Sequence, residues 1–305
     1  MLMSFFNRAL QAGFIIPNLA SEQEFFPTTH CKILNGKRLS ANFVEQAQRL
    51  CKGKITPCLA VVLVGEDPAS HVYVNHKIKV FAEAGFQSKR HLFSSSEVTE
   101  KKLIQLIQAL NHDDSIHGIL VQLPLPNHLN PNNILKLINP KKDVDGFLAS
   151  NIGALTLGEL NVPLACTPLG ILTMLSAYGI DICGKHAVII GRSNIVGKPT
   201  AMLLLNSDAT VTMTHSKTKN LKDICQSADI LIAAAGQAEF VTQSFIKQNA
   251  VVIDVGIHKK ADGKLCGDVA SDAKQIASAL SPVPGGVGPM TIAMLMLNTA
   301  LAAWS

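Results

Sequence analysis

The sequence predicts an α/β protein of two domains, one an α/β layer domain and the other a doubly wound unit, with a cleft between them. Three observations carry this. The 305 residues suffice for two domains of ordinary size, each with its own core. Apolar runs alternate with amphipathic stretches from about residue 59 onward, the pattern of buried parallel strands joined by right-handed helical crossovers. A second alternation then restarts near residue 185 with a glycine-bearing turn directly behind its first strand, the layout of a doubly wound nucleotide-binding unit.

The elements follow in order. Residues 1–30 precede the first strand-like segment and share nothing with the later pattern; with Arg8 as their one base and Glu22 and Glu24 as acids, they lack the make-up of a signal peptide and are expected to be a leader outside the core. LAVVLVG, a helix from Ser70, RHLFSS, a helix from Glu100, IHGILVQLP and a helix from Asn132 make the first domain. After the connector CTPLGILTMLSAYG come HAVIIG, a helix from Gly197, ATVTMT, a helix from Asn220, DILIAAA and VVIDVG. The apolar stretch 291–304 reads as a terminal helix that docks back on the first domain. The expected division is therefore 31–168 with 291–305, and 169–290.

Composition excludes several classes of function. Hydrophobic residues make up 48% and charged residues 16%, as in a globular protein. Mean hydropathy is +0.26, yet no apolar run reaches the ~20 residues that span a membrane. The seven cysteines, at 31, 51, 58, 166, 183, 225 and 266, include no CxxC pair, so neither a disulfide framework nor a metal site is expected; a reducing, cytoplasmic setting is. The net charge of +5 is scattered, without the basic stripe and interleaved aromatics of a nucleic-acid binder, and suits a small anionic ligand.

GRSNIVGKP follows HAVIIG and opens a helix. Gly191 permits the tight turn, and amides at the helix start face a pyrophosphate that the helix dipole favours. The spelling departs from GxGxxG, with Ser193 and Val196 in the second and third glycine positions, so context carries the reading more than the motif does. A site for NAD places an acid about 20 residues after the first glycine. Here TVTMTHSKT has none, while Ser216, Lys217 and Arg192 offer a hydroxyl, a charge and a planar fork to a 2′-phosphate. NADP is the expected cofactor.

In GEDPASHVYVNHKIKVFAEAG, Asp67-Pro68 marks a turn, Ser70 a possible N-cap and Gly85 a stop, predicting a helix over 71–84. Val74, Ile78 and Phe81 form its core stripe, with Ser70, Tyr73 and Lys77 on the adjoining arc. A tyrosine and a lysine four apart beside a core stripe can wall a pocket, and a desolvated lysine there exchanges protons nearer neutrality; a mid-helix lysine otherwise extends its ammonium to water. His71 and His76 have no partner at metal spacing. Gln122 ends a buried run and is followed by LPLP; Asp145 lies in KKDVDGF, where Asp143 is equally suited to a turn or cap. A loop carboxylate can accept paired N–H donors from a heterocycle or simply close an Asx turn. In PVPGGVGPMT, three glycines between prolines let backbone approach a ligand, or mark a plain interdomain turn.

The ordered blocks DPAS…YVNHKIK, VQLPLP, KDVDGF, CTPLG, GRSNIVGKP, HSKT, VIDVGI and PVPGGVGPMT resemble the bifunctional methylenetetrahydrofolate dehydrogenase/cyclohydrolase family from about residue 33 to the C-terminus. The resemblance implies a two-domain protomer, usually a homodimer, that takes tetrahydrofolate derivatives and NADP. It implies Lys77 as the main cyclohydrolase residue, Gln122 to orient it and Asp145 to hold the pterin amino edge. Tyr73 would stack on the folate ring, with Ser70 and Leu123 alongside, and Pro284, Gly285 and Gly286 would border the pterin. NADP would meet Gly191, Arg192, Ser193, Ser216 and, through its backbone, Ile257. The family's separate formate-activating ligase is not expected in this chain, which has no P-loop-like segment. Alternatives are a dehydrogenase alone, a two-domain NADP dehydrogenase of the amino-acid or shikimate type, and a non-catalytic NADP-binding sensor or scaffold.

Overall fold

The computed structural model describes residue 9 and residues 11–304. In chain order it contains β1 (Lys32–Ile33), α1 (Gly36–Cys51), β2 (Cys58–Val64), α2 (Pro68–Glu83), β3 (Gln87–Phe93), α3 (Glu100–His112), β4 (Gly118–Val121), α4 (Pro131–Leu135), α5 (Ala149–Thr156) and α6 (Cys166–Ala177). There follow β5 (His186–Ile190), α7 (Gly197–Leu205), β6 (Thr210–Thr214), α8 (Leu221–Cys225), β7 (Ile230–Ala233), β8 (Val251–Asp254), β9 (His258–Lys259), β10 (Leu265–Cys266), β11 (Ala279–Leu280) and α9 (Val287–Ala303).

The chain forms two compact units. One holds residues 43–166 and 294–304 with 9 and 11–15; the other holds Ile16–Asn42 and Thr167–Ala293. In the first, β2 lies between β3 and β4, and all three strands are parallel. The reason is legible in β2: all seven residues of CLAVVLV are buried, as a central strand covered on both faces requires. By contrast QSKRHLF of β3 alternates exposed and half-buried positions, fitting the sheet edge, where charge blunts further pairing. Leu103, Ile107 and Leu110 of α3 and Ile134 of α4 pack on this sheet.

The second unit contains a six-stranded sheet in the order β1-β11-β8-β7-β5-β6, parallel throughout. Its core gathers Val188, Ile190, Leu231, Ala233, Val252 and Leu280 from the strands, with Cys225 and Phe245. A small antiparallel pair, β9 with β10, follows β8.

Two expectations about organisation differ from the structure. Residues 31–42 fall not with the first domain but with the six-stranded unit, because Lys32 and Ile33 pair with Ala279 and Leu280 and extend that sheet. The described part of the leader is also not detached. Phe14 is buried, and the Ile15 backbone exchanges two hydrogen bonds with Gln46. In the other unit the Leu19 N–H donates to the Ala177 carbonyl, and Glu22 pairs with Arg38. Phe26 packs against the core. Apolar anchors with satisfied backbone groups hold this segment where composition alone suggested nothing. Residues 1–8 lie outside the described residues.

Candidate active site

In the three-stranded unit, helix α2 starts at Pro68, earlier than the sequence suggested, because Asp67 rather than Ser70 is its N-cap. Its carboxylate accepts the Ser70 N–H at 2.9 Å and the Ser70 hydroxyl at 2.7 Å, with Pro68 pre-set for the first turn. The buried face is Ser70, Val74, Lys77 and Phe81; Ile78, expected in that stripe, is only half-buried. Lys77 thus lies on the core face itself, with 6% of its surface exposed, and does not extend its ammonium to water.

Three groups meet the Lys77 amine. Nζ donates to Oε1 of Gln122 at 3.2 Å, and it lies 4.4 Å from the centroid of the Tyr73 ring, within cation–π range. Asp145 faces it electrostatically. Gln122 stands just past β4, where its own N–H continues the ladder to Val62. Its Nε2 donates to the Leu123 carbonyl at 2.7 Å, which fixes the amide with its oxygen toward the lysine. Burial pushes the Lys77 pKa down, while Asp145 and Cys166 push it back up.

The two aspartates of KKDVDGF part company. Buried Asp143 takes the turn role, accepting from the N–H groups of Phe147 and Leu148 and from Asn151 Nδ2 at 2.6 Å. That leaves Asp145 to the amine. Burial raises the Asp145 pKa to about 6 against the opposing pull of Lys77, with Asp143 adding to the rise. Both acids border a cavity of about 10 Å³ shared with Ile119, Val121, Phe147 and Leu148, room for about one water. Asn298 on α9 donates to the carbonyls of Val144 at 2.8 Å and Leu164 at 3.0 Å, and Cys166 Sγ donates to Val144 O at 3.3 Å. These contacts hold the backbone immediately before Asp145. Neither Asn298 nor Cys166 was singled out from sequence; a lone amide in an otherwise apolar terminal helix was the available signal for the first.

In the six-stranded unit the nucleotide-loop residues collect at the C-terminal ends of the strands, the side where open parallel sheets bind ligands. Gly191 ends β5 with φ of +124°, and a Cβ there would lie 2.2 Å from the Ala234 carbonyl oxygen, so only glycine lets β5 turn here. Ser193 Oγ accepts from the N–H groups of Val196 and Gly197 at 3.1 and 3.3 Å, capping the start of α7. Ser216 is exposed just past β6, the neighbour of β5. Arg192 and Lys217 are exposed as well. Ile257, past the end of β8, is 62% exposed. An exposed hydroxyl and cations, with no acid among them, fit a nucleotide carrying a 2′-phosphate.

Pro284, Gly285 and Gly286 belong to this second unit as well. The Gly285 carbonyl accepts the Lys37 N–H at 2.8 Å, and a Cβ on Gly36 would fall 1.9 Å from the Gly286 oxygen. The loop is therefore pinned by backbone to the start of α1. The structure thus brings Ser70, Tyr73, Lys77, Gln122, Leu123 and Asp145 together in one unit, and the nucleotide-loop residues with 284–286 in the other. Among the described residues no cluster of side chains suits a metal ion.

Two family models match the chain: tetrahydrofolate dehydrogenase/cyclohydrolase, catalytic domain, over residues 34–145, and the NAD(P)-binding domain of the same family over residues 165–305. The chain is 54% identical over 279 residues to bifunctional protein FolD of Campylobacter concisus, covering 89% of this chain and 97% of that one. It is 52% identical to the same-named protein of Streptococcus equi, with the same coverage. Among solved structures, the bifunctional FolD of Campylobacter jejuni superposes with a TM-score of 0.88 at 48% identity, over 90% of this chain and 99% of the other. The Trypanosoma brucei dehydrogenase-cyclohydrolase complexed with NADP cofactor and inhibitor gives 0.85 at 36%, over 90% and 97%. The chain belongs to the tetrahydrofolate dehydrogenase/cyclohydrolase family.

Proposed function

We propose that this chain oxidises 5,10-methylenetetrahydrofolate to the 5,10-methenyl compound with NADP, and then hydrolyses that product to 10-formyltetrahydrofolate. The observation that carries the reading is the buried amine of Lys77, held by Gln122 and Tyr73 and opposed by Asp145. A family fold alone does not demand a desolvated lysine; hydrolysis of a cationic one-carbon bridge does demand proton management.

NADP, when bound, supplies the hydride acceptor. Oxidation leaves the bridge carbon as a cation shared with two nitrogens, so that step asks the protein chiefly for positioning. Tyr73 offers a ring for stacking, Asp145 an acceptor for the pterin amino edge, and Ser70 and Leu123 adjoin them; Pro284, Gly285 and Gly286 present backbone to the pterin. Gly191, Arg192, Ser193 and Ser216 hold the nucleotide, with the Ile257 backbone at its nicotinamide end. For hydrolysis, Lys77 Nζ in its neutral form takes a proton from water as the oxygen adds to the bridge carbon. It returns that proton to the ring nitrogen as the carbon–nitrogen bond breaks, while the hydroxyl on the bridge carbon gives up its remaining proton to solvent and becomes the formyl oxygen, leaving the formyl group on the other nitrogen. Depression of the lysine pKa by burial enlarges the neutral fraction near neutral pH, while Gln122 holds the amine without adding a negative charge.

The division of labour assigns folate to residues 31–168 with 291–305 and NADP to 169–290, with 31–42 serving the second unit's sheet. A cytoplasmic homodimer feeding purine biosynthesis completes the proposal. The outer edge of β3, which meets no other strand among the described residues, with Leu92 exposed, is compatible with a second copy pairing there. Among the described residues no helix is long and apolar enough to cross a membrane. The test is direct: the purified protein is mixed with methylenetetrahydrofolate and NADP, and NADPH and methenyl absorbance are followed together. NADP reduction without much methenyl build-up is expected; build-up stoichiometric with NADPH would leave a dehydrogenase alone, and no NADP reduction would end the proposal.

A further inference from the structure

Two buried carboxylates in the six-stranded unit have no part in the scheme above. Asp254 ends β8 and is 4% exposed; Asp268, just beyond β10, is fully buried. Asp254 Oδ1 accepts the N–H groups of Gly256 at 3.0 Å and Asp268 at 2.9 Å, and Oδ2 accepts that of Val269 at 3.0 Å. Asp268 in turn collects four donors. Oδ2 takes the N–H groups of Ala235 at 2.6 Å and Gly236 at 2.9 Å. Oδ1 takes that of Gln237 at 3.0 Å and Nε2–H of His258 at 2.7 Å.

The acceptors are thus spent on backbone, save for the one that His258 reaches, and on loops at the ligand-binding end of the sheet. Residues 235–237 leave β7, with Gly236 and Gln237 exposed; His258 directly follows exposed Ile257. The packing leaves no slack. A Cβ on Gly256 would lie 2.3 Å from Asp268 Oδ1, and one on Gly267 would lie 1.8 Å from Asp254 Oδ2. A carboxylate buried under an exposed loop and satisfied by consecutive amides fixes that loop's path, because each lost bond would leave a buried acceptor unpaired.

We propose that Asp268 is a positioning residue for the nicotinamide half of NADP: it ties the loop after β7 to the loop after β8, so that the backbone around Ile257 is held ready for the cofactor. Asp254 acts behind it by fixing the turn that presents Asp268. The proposal rests on the NADP reading given above and adds which residues shape the nicotinamide end. It separates the two ends of the cofactor: Arg192, Ser193 and Ser216 on the β5 and β6 side share no hydrogen bond with Asp254 or Asp268 among the described residues, and Gly191 meets the network through the Ala234 carbonyl.

The test compares Asp268→Asn with wild type on three readouts: dissociation constants for NADP and for adenosine 2′,5′-bisphosphate, which lacks the nicotinamide half; dehydrogenase kcat and KM for NADP; and hydrolysis of added methenyltetrahydrofolate. An amide at 268 turns one acceptor into a donor facing a donor. The expected result is NADP binding and dehydrogenase kcat/KM weakened by roughly 10- to 100-fold, in line with loss of one or two charge-assisted bonds. Binding of adenosine 2′,5′-bisphosphate and hydrolysis should stay within about twofold. Unchanged NADP kinetics, or parallel loss of every readout, would overturn the proposal. Should Asp268→Asn not fold, His258 decides: His258→Gln, which retains a donor, should keep NADP affinity, and His258→Leu should lose part of it with fragment binding intact. Equal behaviour of those two variants would also overturn it. Failure of wild type to bind either ligand would instead refute the NADP reading itself.

Discussion

Replacing Lys77 by methionine removes the amine while keeping most of the stem that packs with Val74 and Phe81 on the core face of α2. Gln122 Oε1 loses its donor, at a cost of about 1–3 kcal/mol for an unpaired buried acceptor. Removal of a charge that burial already disfavours offsets that cost. The folded state should therefore change by no more than ~2 kcal/mol, and the variant should purify like wild type. Catalysis is affected very differently. A positioned acid–base group contributes roughly 10²- to 10⁴-fold, equivalent to about 3–5 kcal/mol of barrier, and the other groups that act on the amine are the Gln122 amide, the Tyr73 ring, the Asp145 carboxylate and the Cys166 thiol. Stopped-flow or steady-state spectrophotometry with added methenyltetrahydrofolate reads hydrolysis directly, and the coupled assay with NADP reads oxidation. Hydrolysis should fall by at least ~100-fold while oxidation continues, so the methenyl compound accumulates. Hydrolysis at the wild-type rate would show that the lysine does not carry that step.

Gly191→Ala forces a Cβ to within 2.2 Å of the Ala234 oxygen at φ of +124°; thermal melts should show a loss of about 1–3 kcal/mol, and calorimetry a loss of NADP binding. The double variant Arg192→Ala with Ser216→Ala should weaken NADP binding by roughly 10- to 100-fold while leaving NAD binding nearly unchanged, because only the 2′-phosphate loses charge-assisted partners; equal losses for the two nucleotides would place these residues elsewhere on the cofactor. Burial raises the Asp145 pKa from 3.8 to about 6, so between those values the folded protein binds more protons than the unfolded chain, and this group's contribution to stability is complete below about 4 and lost as pH rises through about 6, by up to ~3 kcal/mol. Asp145→Asn should then gain stability relative to wild type across that window in urea melts taken at successive pH values, and a difference that is flat with pH would contradict the assigned shift.

How much of this was legible in the sequence depended on whether local pattern or tertiary contact decided the outcome. The central strand β2 and the edge strand β3 are written in their own residues, seven apolar in succession against an alternating polar run. Gly191 was legible because it directly follows a buried strand in a short turn that leads into a helix. Lys77 was half legible. Its spacing from Tyr73 was visible, but periodicity placed it beside the core stripe, since burial of a lysine is set by what covers it and not by its helix. The choice between Asp143 and Asp145 was open for the same reason: both fit an Asx turn, and only the distances to Phe147, Leu148 and Asn151 separate them. The two-residue strand β1 gave no periodic signal at all, and its partner lies near residue 280. The Asp254–Asp268 network left a trace in the glycines at 256 and 267, whose missing side chains make room for carboxylates, though nothing in the local sequence names the partner.

The amine site also shows why an amide and not a second acid stands at position 122. In the proposed scheme the lysine passes a proton to and from the substrate, so neither of its protonation states can be strongly preferred. Burial alone would favour the neutral amine. Asp145 opposes burial, and the opposition is mutual, since the same contact lowers the Asp145 pKa against its own desolvation. A carboxylate at 122, at the 3.2 Å now spanned by the Gln122 oxygen, would add a second full charge and hold the ammonium form through the catalytic cycle. Gln122 Oε1 accepts a hydrogen bond from either form of the amine, so it orients Nζ while leaving the balance to Asp145 and the surrounding core. Orientation and charge control are thereby assigned to different side chains, just past β4 and on the 143–148 loop, and each can be perturbed without removing the other.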